Sequence, residues 1–180
     1  SYQKLEHDYL GKDFSNDEIL MYAKKNKIKL RLSKDISKKG AELIKKNWTQ
    51  NTVAALIASP SNPTGTLVSD RELRLMHKVV QGLGGSLIVD EIYHGLTFGV
   101  DAKSALNFTE NVFVINSFSK YFGMTGWRLG WVVAPKPFMP QLEKLAQNLY
   151  ISNSDIAQQA ALAAFRPETI AIAEKNRVEY

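Results

Sequence analysis

The sequence predicts an α/β fold, three-layered in the α/β/α sense around a mostly parallel sheet. Three observations predict it. Four apolar runs, residues 53–58, 86–91, 112–117 and 129–134, are each six residues long, the length of a buried strand rather than a helix. Amphipathic segments with helix-start signals precede, separate and follow them. Glycine, proline, serine and asparagine cluster where several of the runs end.

Taken in order, "SNDEILMYAKKN" opens with a capping box, Ser15 and Glu18, and carries Ile19, Leu20, Tyr22 and Ala23 at helical spacing. "IKLRL", residues 28–32, alternates apolar and basic side chains like a strand with one wet face. "ISKKGAELIKKNW" predicts a helix weakened by Gly40. "VAALIA" runs into the turn-rich "SPSNPTGT", and "SDRELRLMHKVVQGLG" brings a second capping box, Ser69 and Glu72, with glycines at its end. "SLIVDE" and "VFVINS" are further strands. "LGWVVA" follows too soon for a helical crossover, which predicts an antiparallel partner. From "PKPFMPQLEKLAQNLY" onward the pattern is helical, with Ser154 as N-cap of "DIAQQAALAAF". No internal repeat, low-complexity stretch or interdomain linker interrupts the chain.

The 180 residues suffice for one hydrophobic core, and the absence of cysteine excludes thiolate metal sites, thiol catalysis and disulfides. That is compatible with a reducing compartment, and a cytoplasmic location is expected. No apolar run reaches membrane-spanning length, and "SYQKLEHDYLGKDF" has no signal-peptide pattern, so no membrane association is expected. The net charge of +5 belongs to residues 1–50, with twelve Lys/Arg against seven Asp/Glu. Its centre, "KKNKIKLRLSKDISKK", lacks the interleaved aromatic residues of a base-stacking platform, and it reads as solvated surface rather than a nucleic-acid footprint.

Ligands of such sheets gather at the carboxyl ends of the strands. "SPSNPTG" follows one strand, "DEIY" tips a second and "SFSK" a third, so the topology brings Asn62, Asp90, Tyr93, Ser117, Ser119 and Lys120 to one edge, with Arg128 shortly after. A lysine, a carboxylate, two hydrogen-bonding groups and a hydroxyl-rich cradle with an arginine form the set that pyridoxal 5'-phosphate requires: an amine for its aldehyde, a carboxylate for its pyridine nitrogen, partners for its ring oxygen and a site for its phosphate.

"SPSNPTGT", "VDEIYHGLTFG" and "NSFSKYFGMTGWRLGW" resemble, in order, three blocks of the class I/II aminotransferases, fold-type I pyridoxal-phosphate enzymes. The intervals of 28 residues from Asn62 to Asp90, three to Tyr93 and 30 from Asp90 to Lys120 suit that family. The resemblance implies that Lys120 anchors the cofactor and moves a proton as a free amine, and that Asp90 pairs with the pyridine nitrogen. It further implies that Asn62 and Tyr93 bind the ring's phenolic oxygen and that Ser117, Ser119 and Arg128 bind the phosphate. Ile92 packs against the ring if the strand extends that far. His77 and His94 lack evident partners and receive no role. Trp127 and Trp131 read as core, and Gly123 and Gly126 as the glycines that permit the loop.

The resemblance also implies a partial chain. Residues 1–165 correspond to part of the cofactor-binding large domain, and 166–180 to the start of a helix leading to a small domain. The expected upstream phosphate turn and ring-stacking aromatic are missing, as is the downstream arginine for the substrate carboxylate. In the family's sheet a strand from before residue 1 lies between "IKLRL" and "VAALIA". An inactive isolated segment is therefore expected. The implied whole is a homodimeric aminotransferase exchanging amino groups between an amino acid and a 2-oxo acid, of the aspartate, aromatic or alanine type. A C–S β-lyase on the same fold and a non-catalytic cofactor-binding sensor are the competing readings.

Overall fold

A computed structural model describes residues 36–179. The helix and strand expected at 15–26 and 28–32 lie outside them. The order of elements is α1 (Ile36–Asn47), β1 (Ala54–Ala58), α2 (Asp70–Gly82), β2 (Ser86–Asp90), β3 (Phe113–Ser117), β4 (Gly130–Val133), α3 (Met139–Leu149), α4 (Asp155–Ala164) and α5 (Pro167–Glu179), with short 3₁₀ turns at Ala105–Asn107, Thr125–Trp127 and Lys136–Phe138.

The sheet order is β1-β2-β3-β4. The first three strands are parallel, while β4 returns antiparallel to β3, as the short connection predicts. The fold is thus α/β with a mostly parallel sheet. Register puts Ile57, Val89 and Val114 side by side on one face. There they join Leu87, Leu73, Met76 and Val80 in an aliphatic core, with Met76 and Val80 wholly inaccessible. Ala41, Ile44 and Trp48 from α1 and its end close over it. The opposite face carries Leu56 and Ile115, exposed among the described residues, and is where the third layer would lie.

The two helix-start signals within the described residues act as read. Ser69 Oγ accepts the Glu72 N–H, and a Glu72 carboxylate oxygen accepts the Ser69 N–H at 3.4 Å, completing the capping box of α2. Ser154 Oγ accepts the Ala157 N–H at the start of α4. After α2 the chain must pass beneath the Trp48 ring. Only glycine fits at position 85, since a Cβ there would collide with the indole.

A second cluster holds the segment between β3 and β4. Phe118, Met124 and Leu129 are buried against Ala157, Ala161 and Ala164 of α4, with Phe122 and Trp131 packed alongside. Trp131 is core-packed as expected, whereas Trp127 is exposed: it lies in a 3₁₀ turn outside this cluster. Of the two loop glycines, Gly123 has φ +66° and needs glycine's freedom, but Gly126 has neither positive φ nor a crowded Cβ position. The glycine that sterics demand is Gly130, where a Cβ would approach Asn116 O to 2.7 Å. Among the described residues no helix is long and apolar enough to cross a membrane.

Candidate active site

Parallel register places the carboxyl ends of three strands at one edge, where Ala58 lies beside Asp90 and Asp90 beside Ile115. Two bonds extend the ladder outward: Ser59 N–H donates to Asp90 O at 3.0 Å and Glu91 N–H to Ile115 O at 2.9 Å. Three loops therefore depart from one level.

The loop after β1 is closed on itself. Buried Ser59 accepts the Val68 N–H through Oγ at 3.0 Å, tying the loop's two ends together. Ser61 N–H donates to Thr66 O, and Gly65, at φ +65°, donates back to Ser61 O. The peptide bonds before Pro60 and Pro63 are cis. This frame presents Asn62, whose Nδ2 donates to the Tyr93 hydroxyl at 3.1 Å. The pair spans 31 residues of sequence and brings together two of the residues singled out above.

After β2 the chain turns at once. Asp90, half-buried, accepts the Ile92 N–H through Oδ1 at 3.0 Å. The strand ends at Asp90, so Ile92 belongs to the turn and does not continue the strand face expected of it. Glu91 is buried and accepts the Ala105 N–H at 2.7 Å. His94 has partners after all: Nδ1 lies 3.5 Å from the Glu91 carboxylate, and Nε2 faces Ser59 O at 3.1 Å. It bridges the loops that carry Asn62 and Tyr93. His77 is likewise partnered, with Nε2 2.9 Å from Asn111 O and its ring edge-on to Phe108.

Beyond β3, Ser117 Oγ lies 2.9 Å from Ser119 Oγ and 3.2 Å from Leu129 O, and it accepts the Ser119 N–H at 3.0 Å. The two hydroxyls therefore stand together. Lys120 is exposed, its Nζ 5.6 Å from the centre of the Tyr93 ring, a cation–π contact. Among the described residues its amine makes no hydrogen bond or ion pair. Thr125 Oγ1 donates to Ser119 O at 2.5 Å, and Arg128 donates through Nη1 to Thr125 O at 3.1 Å. Arg128 itself sits at φ 53° and ψ 45°, a left-handed conformation uncommon for a residue with a side chain.

The structure thus joins Asn62 to Tyr93, Tyr93 to Lys120 and Ser117 to Ser119 by contact. Arg128 reaches Ser119 through Thr125. Asp90 is placed by register at the same edge, on the sheet face opposite the aliphatic core. One participant was missed in the sequence: Tyr121, which turns from Lys120 toward Glu174 of α5. No local pattern announces a contact across so much chain.

The family profile described as aminotransferase class I and II matches residues 24–179. The valine–pyruvate aminotransferase of Mycobacterium tuberculosis is 39% identical over 127 residues, covering 69% of this chain and 33% of that protein. The aspartate aminotransferase of Geobacillus stearothermophilus is 36% identical over 129 residues, covering 69% and 33%. Among solved structures, an aminotransferase from Mycobacterium tuberculosis superposes with a TM-score of 0.71 at 35% identity, covering 77% of this chain and 38% of that one. Aspartate aminotransferase from Thermus thermophilus, solved with maleate, gives 0.70 at 28%, covering 76% and 37%. The chain spans about a third of the length of the curated relatives it matches. All three strand-end loops fall within the matched span, and the chain belongs to the family of class I and class II aminotransferases.

Proposed function

We propose that the protein to which this chain belongs is a pyridoxal-phosphate-dependent aminotransferase acting on an amino acid and a 2-oxo acid of the aspartate, aromatic or alanine type. The observation that carries the reading is the Asn62–Tyr93 hydrogen-bonded pair with the Lys120 amine 5.6 Å from the Tyr93 ring centre, at the carboxyl edge of a parallel sheet. Those donors fit the cofactor. Tyr93 accepts from Asn62, so its own hydrogen remains to be donated to a ring oxygen. Arg128 spends one N–H on Thr125 O and keeps the rest of its fork for an anion, next to two adjoining serine hydroxyls.

When bound, pyridoxal phosphate supplies an electron-withdrawing ring that takes up the electron pair left at an amino acid's Cα as its proton departs. The roles proposed for this chain's residues are as follows. Lys120 would hold the cofactor through its aldehyde and, as a free neutral amine, would accept the Cα proton, since an ammonium cannot act as base. Asp90 holds a proton on the pyridine nitrogen by its negative charge. Asn62 and Tyr93 donate to the phenolic oxygen, while Ser117, Ser119 and Arg128 hold the phosphate. Residues 1–165 are read as part of the cofactor-binding domain and 166–180 as the start of the helix toward a small domain. A homodimer in the cytoplasm completes the proposal.

The test feeds the full-length enzyme an amino acid with and without a 2-oxo acid. Stoichiometric exchange of amino and keto groups is expected only when both are present. Pyruvate and ammonia released from a single sulfur-bearing amino acid would assign it to the lyases instead.

A further inference from the structure

Tyr121, the neighbour of Lys120, is half-buried, and its hydroxyl donates to Glu174 Oε1 on α5 at 2.5 Å across 53 residues of sequence. The other Glu174 oxygen receives a fork from Arg177, with Nε at 2.8 Å and Nη2 at 2.7 Å. Arg177 in turn donates through Nη1 to Thr97 O at 3.4 Å. The Tyr121 ring stands against Gly95, where a Cβ would come within 2.5 Å of its Cδ2. The segment from Tyr93 to Thr97 therefore meets this assembly three times: the Tyr93 ring near Lys120 Nζ, Gly95 against Tyr121, and Thr97 O at Arg177.

Among the described residues the backbone around Lys120 has little else of this kind. Gly123 N–H donates to Lys120 O, Met124 N–H to Phe118 O, and Thr125 Oγ1 to Ser119 O, all within the same loop. Phe122 packs on Phe118 and Phe165 at one side. At the other, the Tyr121 hydroxyl is the polar anchor to another element, and a hydrogen bond to an ionised carboxylate is about twice as strong as a neutral one. The proton stays on the phenol: burial, and then the Glu174 carboxylate, push Tyr121 up to about 12.

We infer that Glu174 is a positioning residue: acting through the Tyr121 hydroxyl, and braced by Arg177 on Thr97, it fixes the Lys120 loop against the Tyr93–Thr97 loop. The inference rests on the role proposed for Lys120. The amine then keeps its place over the Tyr93 ring when it is not covalently engaged. Tyr121→Phe retains the ring against Gly95 and removes the donor, Glu174→Ala removes the acceptor, and Glu174→Gln restores a neutral acceptor.

The experiment compares these three variants of the full-length protein with wild type. In the cofactor-free form, amide exchange at Gly123 and Met124 should rise about tenfold in Tyr121→Phe and Glu174→Ala, with β3 amides unchanged and Glu174→Gln recovering most of the protection. In the cofactor-loaded form, kcat should fall about tenfold in the first two variants with KM held within about twofold, because a displaced amine hampers proton movement more than substrate binding. Exchange and kcat within about twofold of wild type in Tyr121→Phe and Glu174→Ala would overturn the inference, as would a Glu174→Gln protein no better protected than Glu174→Ala. Failure of the wild-type protein to attach cofactor at Lys120 would remove the underlying reading instead. The exchange measurement needs no cofactor and separates the two failures.

Discussion

The two halves of the site hang from different kinds of packing. Asn62, Asp90 and Tyr93 leave strands whose inner faces are aliphatic and shut off from solvent, with Leu87, Val89 and Val114 each no more than 2% exposed. Ser119, Lys120 and Arg128 ride a long irregular loop seated on phenylalanine edges and the alanines of α4, where the buried members are 3–9% exposed. Regular strands fix their ends through a ladder shared with neighbours. The loop is fixed by a handful of separate devices: three ring contacts made by Phe118, the Thr125–Ser119 bond, the left-handed Arg128 and the Tyr121–Glu174 link. The comparison teaches that Asn62, Asp90 and Tyr93 sit at the ends of strands held by a shared ladder, while Lys120, the proposed cofactor anchor, sits on a loop held by separate side-chain contacts. Local opening should follow the same division.

The largest expected effect tests the strand side. Met76 is wholly buried in the aliphatic core, and Met76→Ala should cost about 2–5 kcal/mol of unfolding free energy in a denaturant titration. A cost below about 1 kcal/mol would mean that this core is no firmer than the loop's seat. Next is Gly130→Ala, which sets a methyl group 2.7 Å from Asn116 O where the loop rejoins the sheet; about 1–3 kcal/mol should be lost, with faster exchange between Phe118 and Leu129. A variant as stable as wild type would show that the junction yields freely. Ser69→Ala removes the N-cap of α2 and should lower stability by about 1 kcal/mol without altering loop exchange.

The smallest effect is a pH dependence on the loop side. Tyr121 is raised from 10.0 to about 12 in the folded protein. The stabilisation it represents is complete below the ordinary phenol value and is lost as pH rises from 10 through about 12. Glu174 is held below the ordinary carboxyl value, first by the Arg177 fork and then by the Tyr121 hydroxyl, so its contribution is present above 4.5 and is lost as pH falls below that. Tyr121→Phe should flatten the alkaline limb of the stability profile. An unchanged alkaline limb would detach Tyr121 from the loop's stability.

The same division explains what the sequence reveals. Strands and helices among the described residues were legible because their signals are local: six-residue apolar runs, the Ser69–Glu72 capping box, and a β3–β4 connection too short for a crossover. The convergence of Asn62, Tyr93 and Lys120 was legible because parallel topology sends successive strand ends to one edge. The loop's own supports were not. Nothing local marks Tyr121 as a partner of Glu174, His94 as a bridge to Ser59, or Gly130 rather than Gly126 as the obligatory glycine, because each depends on what lies across a gap of many residues. Ile92 was misplaced for a related reason. The strand ends at Asp90, whose side chain accepts the Ile92 N–H in the following turn, so Ile92 lies two residues past the strand.

The central claim is that Lys120 is the residue that binds the cofactor. It is tested most directly by incubating the full-length protein with pyridoxal 5'-phosphate, reducing with borohydride and mapping the product by mass spectrometry. The account predicts a pyridoxyl adduct on Lys120 that is absent from Lys120→Ala. An adduct confined to other lysines, or none at all, would contradict it.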